Sequence, residues 1–317
     1  MKHIIYSKKI KNDILLTILS DIHYSKDFDM TWLNQCLKNL KIDAPDAIMI
    51  IGDLVDECNI NNKDINNLLD YFHNLSKIAP VFITLGNHDI TYKIKRKKWK
   101  KVEDKDNFWL TSLEKFCNNE ENIHIIINES LDYNLKGNRI TISTLVMNNE
   151  YFLEQKENKL EHKNTFLKYF NPIFKKNTYN IHLEHSPLRI MNKNIRKDLG
   201  ITNLDLTLSG HAHNGLIATV PFNNVFKRNI FSFIGNIIFS TSSFILPKNC
   251  GLVGIKGHKL KLFTSNCRGR IDFKDGSIGF ISNAVTTISK TSPKILEKFN
   301  NESFYPKEQY ISIKKQS

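Results

Sequence analysis

Residues 14–23 read ILLTILSDIH, a run of apolar, strand-favouring residues followed at once by a short polar motif. The arrangement recurs twice downstream, where Ala47–Ile51 precedes a Gly-Asp pair at 52–53 and Val81–Leu85 precedes the tetrapeptide GNHD at 86–89. Apolar runs of this length, bounded by glycine and polar residues, are typical of buried strands. The sequence therefore predicts three strands whose C-terminal ends each carry side chains able to bind a metal ion.

Amphipathic stretches separate these runs and predict helices near Thr31–Leu40 and Asp64–Lys77. Strand, helix and strand at this spacing are typical of βαβ units with a parallel sheet that is buried on both faces. Loops at the carboxyl ends of parallel strands line one shared crevice. We therefore expect motifs that are distant in sequence to meet at one place.

Later apolar runs either extend this sheet or form a second one, and further helical segments cover them. The runs are Ile123–Ile127, Ile140–Leu145, Tyr179–Leu183 and Leu204–Leu208, and the helical segments are Phe108–Cys117 and His162–Phe170. A fourth polar motif, SGHAH at 209–213, follows the last run. No internal repeat or disordered linker divides the chain, so we predict a single domain over 1–317.

The chain carries 45 Lys and Arg against 32 Asp and Glu, a net charge of +13. Such an excess attracts nucleic acid, anionic membrane surfaces and phosphorylated metabolites without selecting among them. The five cysteines are odd in number and widely spaced, which argues against a disulfide framework and a zinc ribbon and favours a reducing compartment. A charged N-terminus lacks the apolar core of a signal peptide. We expect a cytoplasmic protein, with peripheral membrane attachment left open.

Two stretches depart from the alternating pattern. Lys93–Lys105 is dense in positive charge and predicts an exposed loop or helix. Asn229–Pro247 holds no charged residue and is rich in Phe and Ile, but its Ser, Asn, Thr and Gly make it a poor membrane span. The wider segment, about 222–263, is interpreted as an apolar insertion.

The polar motifs share one chemistry, because nearly all of their side chains can bind divalent metal ions. Asp, His and Asn offer oxygen and nitrogen without thiolate, which suits Mn, Fe or Zn. The two carboxylate oxygens of Asp53 could bridge ions separated by ~3.5–4 Å. Asp56 and Asp89 are instead interpreted as turn or capping residues without a direct metal role.

The motifs D-x-H at 21–23, G-D-x-x-D at 52–56, G-N-H-D at 86–89 and G-H-x-H at 210–213 follow in this order. This pattern resembles the calcineurin-like metallophosphoesterase superfamily. The family has one further motif, a histidine after a strand, which His185 matches here. The resemblance implies a four-layer α/β/β/α sandwich with two mixed β-sheets.

The resemblance also implies two divalent metal ions, Mn, Fe or Zn. The ligands implied are Asp21, His23, Asp53 and His213 for the first ion, and Asp53, Asn87, His185 and His211 for the second. His88 would face the substrate phosphate as general acid or charge stabiliser. The implied reaction is hydrolysis of a phosphate mono-, di- or pyrophosphate ester through attack of a hydroxide that bridges the two metals.

Residues 209–221 are similar to a bacterial branch that includes membrane-linked phosphoesterases and usually reads G-H-T-H-G-G-Q here. The departures at Ala212, Asn214 and Leu216 spare the implied ligands. Three alternatives stay open: a membrane-surface or lipid-linked substrate at the apolar segment, a nuclease that uses Lys93–Lys101 with Trp99, and a catalytically silent metal-binding interaction protein. No obligate protein partner is inferred.

Overall fold

The computed structural model describes residues 2–26, 28, 30–60, 62–95, 98–101, 107–146, 174–186, 196, 201–210, 250–256, 259–264, 270–272, 276–281 and 309–316. Within these residues it forms two six-stranded sheets, two two-stranded sheets and four helices.

The first sheet combines the predicted N-terminal strands with both ends of the described chain. Its order is β1 (Lys2–Ser7), β16 (Gln309–Lys315), β2 (Ile14–Leu19), β3 (Ala47–Ile51), β4 (Val81–Thr84) and β7 (Ile123–Ile125). All neighbours pair in parallel except β16 with β2, which is antiparallel. The ends of β2, β3 and β4 therefore lie at the same edge, as the motif placement predicted.

The second sheet is formed by the later apolar runs. Its order is β14 (Arg270–Asp272), β15 (Ile278–Ile281), β11 (Leu206–Ser209), β10 (Tyr179–Leu183), β9 (Asn138–Thr144) and β8 (Ser130–Leu135). The four central strands are parallel, and the two outer strands pair antiparallel. Both sheets are thus mixed.

Apolar side chains on opposite faces of each strand explain the layering. Along β3, Ile48 and Ile50 pack among the helices, whereas Met49 and Ile51 pack against the second sheet. The helices over the first sheet are α1 (Thr31–Asp43), α2 (Asn62–Ser76) and α4 (Phe108–Asn118), and the short α3 (Asn87–Ile90) follows β4. Burying one such side chain contributes roughly 1.5–3 kcal/mol.

The outer face of the second sheet is buried as well, although its side chains are polar. His182, Glu184 and Thr207 are each at most 1% exposed. The predicted α/β sandwich with two mixed sheets is therefore confirmed. The predicted helical segment His162–Phe170 lies outside the described residues.

The prediction of a loop or helix over Lys93–Lys105 was wrong for 93–95 and 98–101, whereas 96–97 and 102–105 lie outside the described residues. Thr91–Lys95 (β5) and Lys98–Lys101 (β6) form an antiparallel hairpin. The dense charge concealed the alternation of Tyr92, Ile94 and Lys residues, which is a strand pattern of period two.

Part of the predicted apolar insertion also forms β-strands. Cys250–Lys256 (β12) and Lys259–Thr264 (β13) form a separate antiparallel sheet, whereas 222–249 lies outside the described residues. The extent of the domain, the insertion and its link to a lipid-linked substrate stay predictions. Among the described helices, none is long and apolar enough to cross a bilayer.

Candidate metal centre

Backbone hydrogen bonds continue the parallel ladder past the ends of β2, β3 and β4. The amide of Asp21 donates to the carbonyl of Gly52 at 3.0 Å, and the amide of His23 donates to the carbonyl of Asp53 at 2.9 Å. The amide of Gly52 in turn donates to the carbonyl of Thr84 at 3.0 Å. The polar motifs are therefore held in register as extensions of the sheet.

Three of the predicted ligands adopt left-handed backbone conformations. The φ angles are 54° at Asp21, 48° at His23 and 52° at Asp53. Asp and His tolerate this region better than most residues, at a cost of about 1–3 kcal/mol each. The strain is concentrated at the edge where the donor side chains converge.

Two glycines allow the motif loops to approach each other closely. A Cβ atom at Gly52, where φ is +67°, would lie 2.5 Å from the amide nitrogen of Gly86 and 2.7 Å from Nδ1 of His185. A Cβ atom at Gly86 would overlap the carboxylate of Asp53. Only glycine leaves room for Asp53 and His185 between these loops.

Asp53 lies at the centre of the cluster. Its Oδ2 is 3.0 Å from Nε2 of His185 and 3.6 Å from Nε2 of His23. Asp21, Asp53 and His185 form one group of potential ligand atoms within 4.8 Å of one another, and His23, Asp53 and His88 form another. One carboxylate is thus shared between two adjacent groups of donors.

His185 reaches this edge from the second sheet, directly after β10. Its Nδ1–H donates to the carbonyl of Ile51 at 2.8 Å, which directs Nε2 towards Asp21 and Asp53. Histidines that bind metals commonly donate their other ring N–H to a carbonyl or carboxylate in this way. The two sheets therefore contribute to one site.

Asn87 and His88 complete the described part of the cluster. The side-chain Oδ1 of Asn87 is buried and has no hydrogen-bond partner within the described ranges. His88 donates its amide to Oδ1 of Asp53 at 2.9 Å and its Nδ1–H to the carbonyl of Asp56 at 2.5 Å. Its ring meets that of His23 edge-on, with centroids 4.6 Å apart. A buried amide oxygen of this kind fits a metal ligand.

The last predicted motif is described only as far as Gly210, so the side chains of His211 and His213 lie outside the described residues. The amide of Gly210 donates to the carbonyl of His185 at 3.0 Å. A Cβ atom at Gly210 would lie 2.8 Å from Oδ2 of Asp21. Gly210, the first residue of the G-H-x-H motif, therefore lies against the cluster.

The electrostatics of the cluster favour a positive charge beside Asp53. Burial opposes ionisation of Asp53, but the nearby imidazoles of His185 and His88 hold its pKa well below the usual value. Burial likewise opposes the charged form of His185, but the carboxylates of Asp53 and Asp21 raise its pKa to about 10. A divalent cation would supply the same positive charge, so this set of donors fits a metal centre.

Sequence reasoning missed the backbone acceptors that orient these histidines. The carbonyl of Ile51 fixes His185 and that of Asp56 fixes His88. Every residue has a carbonyl group, so no sequence signal could have identified these two. The carboxylate of Asp56 also lies 3.7 Å from Nδ1 of His23.

The sequence pattern that defines the calcineurin-like phosphoesterases matches residues 14–215, more than half of the chain. The chain belongs to this family. The match includes β2, β3, β4 and β10 together with every residue of the cluster.

Similarity to individual proteins is more limited. An uncharacterized metallophosphoesterase from Campylobacter jejuni is 30% identical over 80 residues, which are 25% of this chain and 21% of that relative. A solved dimetal phosphatase from Danio rerio shares 10% identity over 86% of this chain and 87% of its own, with a TM-score of 0.43. GAP50 of Plasmodium shares 14% identity over 63% of this chain and 66% of its own, with a TM-score of 0.34. Such distant likenesses bear on neither the site residues nor the substrate.

Proposed function

We propose that this phosphoesterase hydrolyses a phosphate mono-, di- or pyrophosphate ester at a centre of two divalent ions. The observation that carries the proposal is the carboxylate of Asp53, which belongs to both groups of potential ligand atoms, one with Asp21 and His185 and the other with His23 and His88. The division of the ligands between the two ions follows the family resemblance. The proposed ligands are Asp21, His23, Asp53 and His213 for one ion, and Asp53, Asn87, His185 and His211 for the other.

The donor set supports Mn, Fe or Zn, because it combines carboxylate and amide oxygens with imidazole nitrogens and contains no thiolate. When bound, two such ions would polarise the phosphoryl oxygens and lower the pKa of water. The protein itself fixes the orientation of the carboxylate that both ions would share. The amide of His88 holds Oδ1 of Asp53, which leaves Oδ2 facing His185 and His23.

His88 is the proposed catalytic residue. Because a carbonyl oxygen can only accept, the bond from His88 to the carbonyl of Asp56 places a proton on Nδ1. Nε2 is therefore the ring nitrogen proposed to act on the substrate. In its protonated form, Nε2 would donate to the leaving oxygen or stabilise charge on the phosphoryl group. This orientation supports the role that the family resemblance implied.

Metal-dependent turnover tests the proposal. Metal-free protein supplied with Mn²⁺ should hydrolyse an aryl phosphate monoester or diester, and His88→Ala should lower kcat by about 10²–10⁴-fold while Mn²⁺ still binds. The matched control is His73→Ala, because His73 is 42% exposed and pairs with Glu120 on the helical layer. Protein that binds Mn²⁺ but hydrolyses no monoester, diester or pyrophosphate would contradict the proposal and favour a silent metal-binding protein.

The hairpin of β5 and β6 favours nucleic acid as a second candidate for the substrate. It starts directly after α3, which carries Asn87 and His88, and its register returns Lys101 opposite Thr91 at the same end. Within 93–101, seven of nine residues are basic and none is acidic. No other described strand pairs with this hairpin.

Such a hairpin gains stability from an anionic ligand. The register places Lys95 opposite Lys98, and like charges opposite each other weaken a strand pair. A lone two-stranded hairpin is only marginally stable in water. A single-stranded nucleic acid supplies repeated phosphates for the lysines and bases that can stack on Trp99.

Salt dependence tests this second candidate. We expect a labelled single-stranded oligonucleotide to bind with affinity that falls steeply with salt. Replacing Lys93, Lys95, Lys98 and Lys100 by Gln should flatten that dependence, whereas the same change at the exposed Lys38, Lys41, Lys115 and Lys176 should have a smaller effect. Absence of binding at low salt, or equal loss in both variants, would remove nucleic acid as a specific substrate.

A further inference from the structure

Asp89 is fully buried behind the metal centre, and its carboxylate accepts four hydrogen bonds. Its Oδ1 accepts from the amide of Leu54 at 2.9 Å, the amide of Val55 at 3.2 Å and Nε1 of Trp109 at 3.3 Å. Its Oδ2 accepts from the amide of Gly86 at 2.8 Å. One side chain thus connects the loop after β3, the loop after β4 and helix α4.

The bonds between the two loops are reciprocal. Asp53, in the loop after β3, accepts the amide of His88 in α3, which follows the loop after β4. Asp89, which follows His88, accepts the amide of Leu54, which follows Asp53. The carboxylate of Asp53 therefore holds the backbone amide of His88, and the carboxylate of Asp89 holds the backbone amide of the residue after Asp53.

A role in filling the core does not account for this arrangement. Burying a carboxylate is unfavourable unless its oxygens are well hydrogen-bonded. An apolar side chain of similar size would fill the space without this cost, but it would leave the amides of Leu54, Val55 and Gly86 without their acceptor. The ionisable group at 89 is explained by the loops it ties together.

We propose that Asp89 is a positioning residue that sets the orientation of the Asp53 carboxylate and of Asn87 and His88 by holding the two loops in register. Asp89 contacts neither substrate nor metal in this account, and it acts through its neighbours. The inference rests on the proposed two-ion function. Loss of groups that orient metal ligands commonly costs about 10–100-fold in metal affinity or activity.

Asp89→Asn tests the proposal with little change in volume. An amide offers one acceptor oxygen and two N–H donors, so it cannot accept on both sides as the carboxylate does. If its oxygen faces Leu54 and Val55, its NH₂ group faces the amide of Gly86, donor against donor. We expect the Mn²⁺ dissociation constant to rise about 10–100-fold and kcat to fall similarly, with a smaller change in KM.

Trp109→Phe is the matched control. It removes one donor to the same carboxylate and keeps the ring in the core, but it leaves the three loop amides bonded to Asp89. We expect a lower melting temperature with Mn²⁺ affinity and kcat within about twofold of the wild type. Circular dichroism and thermal unfolding report the fold of each variant alongside Mn²⁺ binding by electron paramagnetic resonance.

If the asparagine variant fails to fold, Asp89→Glu still allows the positioning role to be tested. It retains both acceptor oxygens, but its extra methylene displaces the loops, so Mn²⁺ affinity and kcat should both fall. A folded Asp89→Asn or Asp89→Glu protein with wild-type Mn²⁺ affinity and kcat, whatever its melting temperature, would overturn the positioning role. Wild-type protein that binds no Mn²⁺ would instead refute the proposed function, and the inference with it.

Discussion

The two sheets support their shares of the proposed metal centre in different ways. The first sheet supplies Asp21, His23, Asp53 and the Asn87 and His88 pair on loops that hydrogen-bond to one another through backbone amides. The second sheet supplies His185, and its ring is oriented by the carbonyl of Ile51 in the first sheet. The first half of the site, on the first-sheet loops, is held by hydrogen bonds among those loops. The second half, which includes His185, depends on contact between the two sheets.

This difference separates two routes by which a substitution can damage the site. Changes in the first-sheet loops act on the proposed ligands directly. Changes in the apolar layer between the sheets act at a distance, by shifting His185 and the start of the Gly210 motif relative to Asp53.

Asp53→Asn should have the largest effect, because this carboxylate joins both halves of the site. We expect kcat/KM to fall more than about 100-fold, beyond the usual cost of losing a group that only orients a ligand. Metal content per chain and kcat/KM with an aryl phosphate measure the effect. Asp132→Asn is the control, since that side chain is 58% exposed and far from the motifs in sequence. Wild-type activity in Asp53→Asn would contradict the claim that this carboxylate serves both halves of the site.

Gly210→Ala should damage the junction between the sheets. The added Cβ would lie 2.8 Å from Oδ2 of Asp21 and 2.9 Å from the carbonyl of Ile51, so one of them must move. We expect Mn²⁺ affinity to fall about 10-fold or more. Gly276→Ala is the contrasting variant, because φ is +83° there but, apart from its chain neighbours, no atom of the described residues lies within 4 Å of its Cβ. It should cost about 1 kcal/mol of stability and leave Mn²⁺ affinity unchanged. Equal Mn²⁺ affinities in the two variants would contradict this account of Gly210.

Ile181→Val should weaken the second half of the site without touching a ligand. Ile181 is buried between the sheets, whereas Ile48 is equally buried but packs among the helices. Each change to Val should cost about 0.5–1.5 kcal/mol of unfolding free energy. Only Ile181→Val should also lower Mn²⁺ affinity, by a few-fold. Isothermal titration of Mn²⁺ into both variants measures these affinities. An equal loss of Mn²⁺ affinity in each variant would show that the site does not depend more on the layer between the sheets than on the helical layer.

His124→Phe should have the smallest effect. His124 lies where the two sheets contact each other, and it is not a proposed ligand. His124 in β7 stacks on Phe82, with centroids 5.2 Å apart, and meets Tyr133 of the second sheet at 5.5 Å. Burial lowers the pKa of His124 from 6.5, so the unfolded chain takes up this proton more readily than the folded chain. The resulting stability is complete above about pH 6.5 and is lost as pH falls through the lowered folded-state pKa.

Denaturant unfolding at pH 7.5 and pH 5 measures that difference. We expect the wild type to lose more stability over this interval than His124→Phe does, because phenylalanine does not titrate. The same loss in both proteins would show that His124 contributes nothing to the pH dependence.

The sequence predicted the central strands well because these strands are buried on both faces. Strands β2, β3 and β10 have the predicted bounds, since each is an apolar run that ends at a polar motif. The pairing of β1 with β16, which places Lys2 opposite Tyr310, was not foreseen. Both are terminal strands that contain lysine, and no local pattern reports a partner at the other end of the chain.

For the site, motif order and strand ends were enough to predict which side chains would gather. Asp21, His23, Asp53, Asn87, His88 and His185 lie at one edge, while their roles as ligands or catalyst, and the places of His211 and His213, stay predictions. The function of Asp89 was not foreseen, because a turn residue and a brace between loops look alike in sequence. Its four bonds depend on contacts 3 to 35 residues away, which only the folded chain reveals.

Anomalous diffraction from crystals of the Mn²⁺-loaded protein would locate the proposed ions. We expect two manganese peaks ~3.5–4 Å apart with Asp53 between them. One peak should adjoin Asp21 and His23, and the other should adjoin Asn87 and His185. A single peak, or two peaks that do not share Asp53, would contradict the proposal.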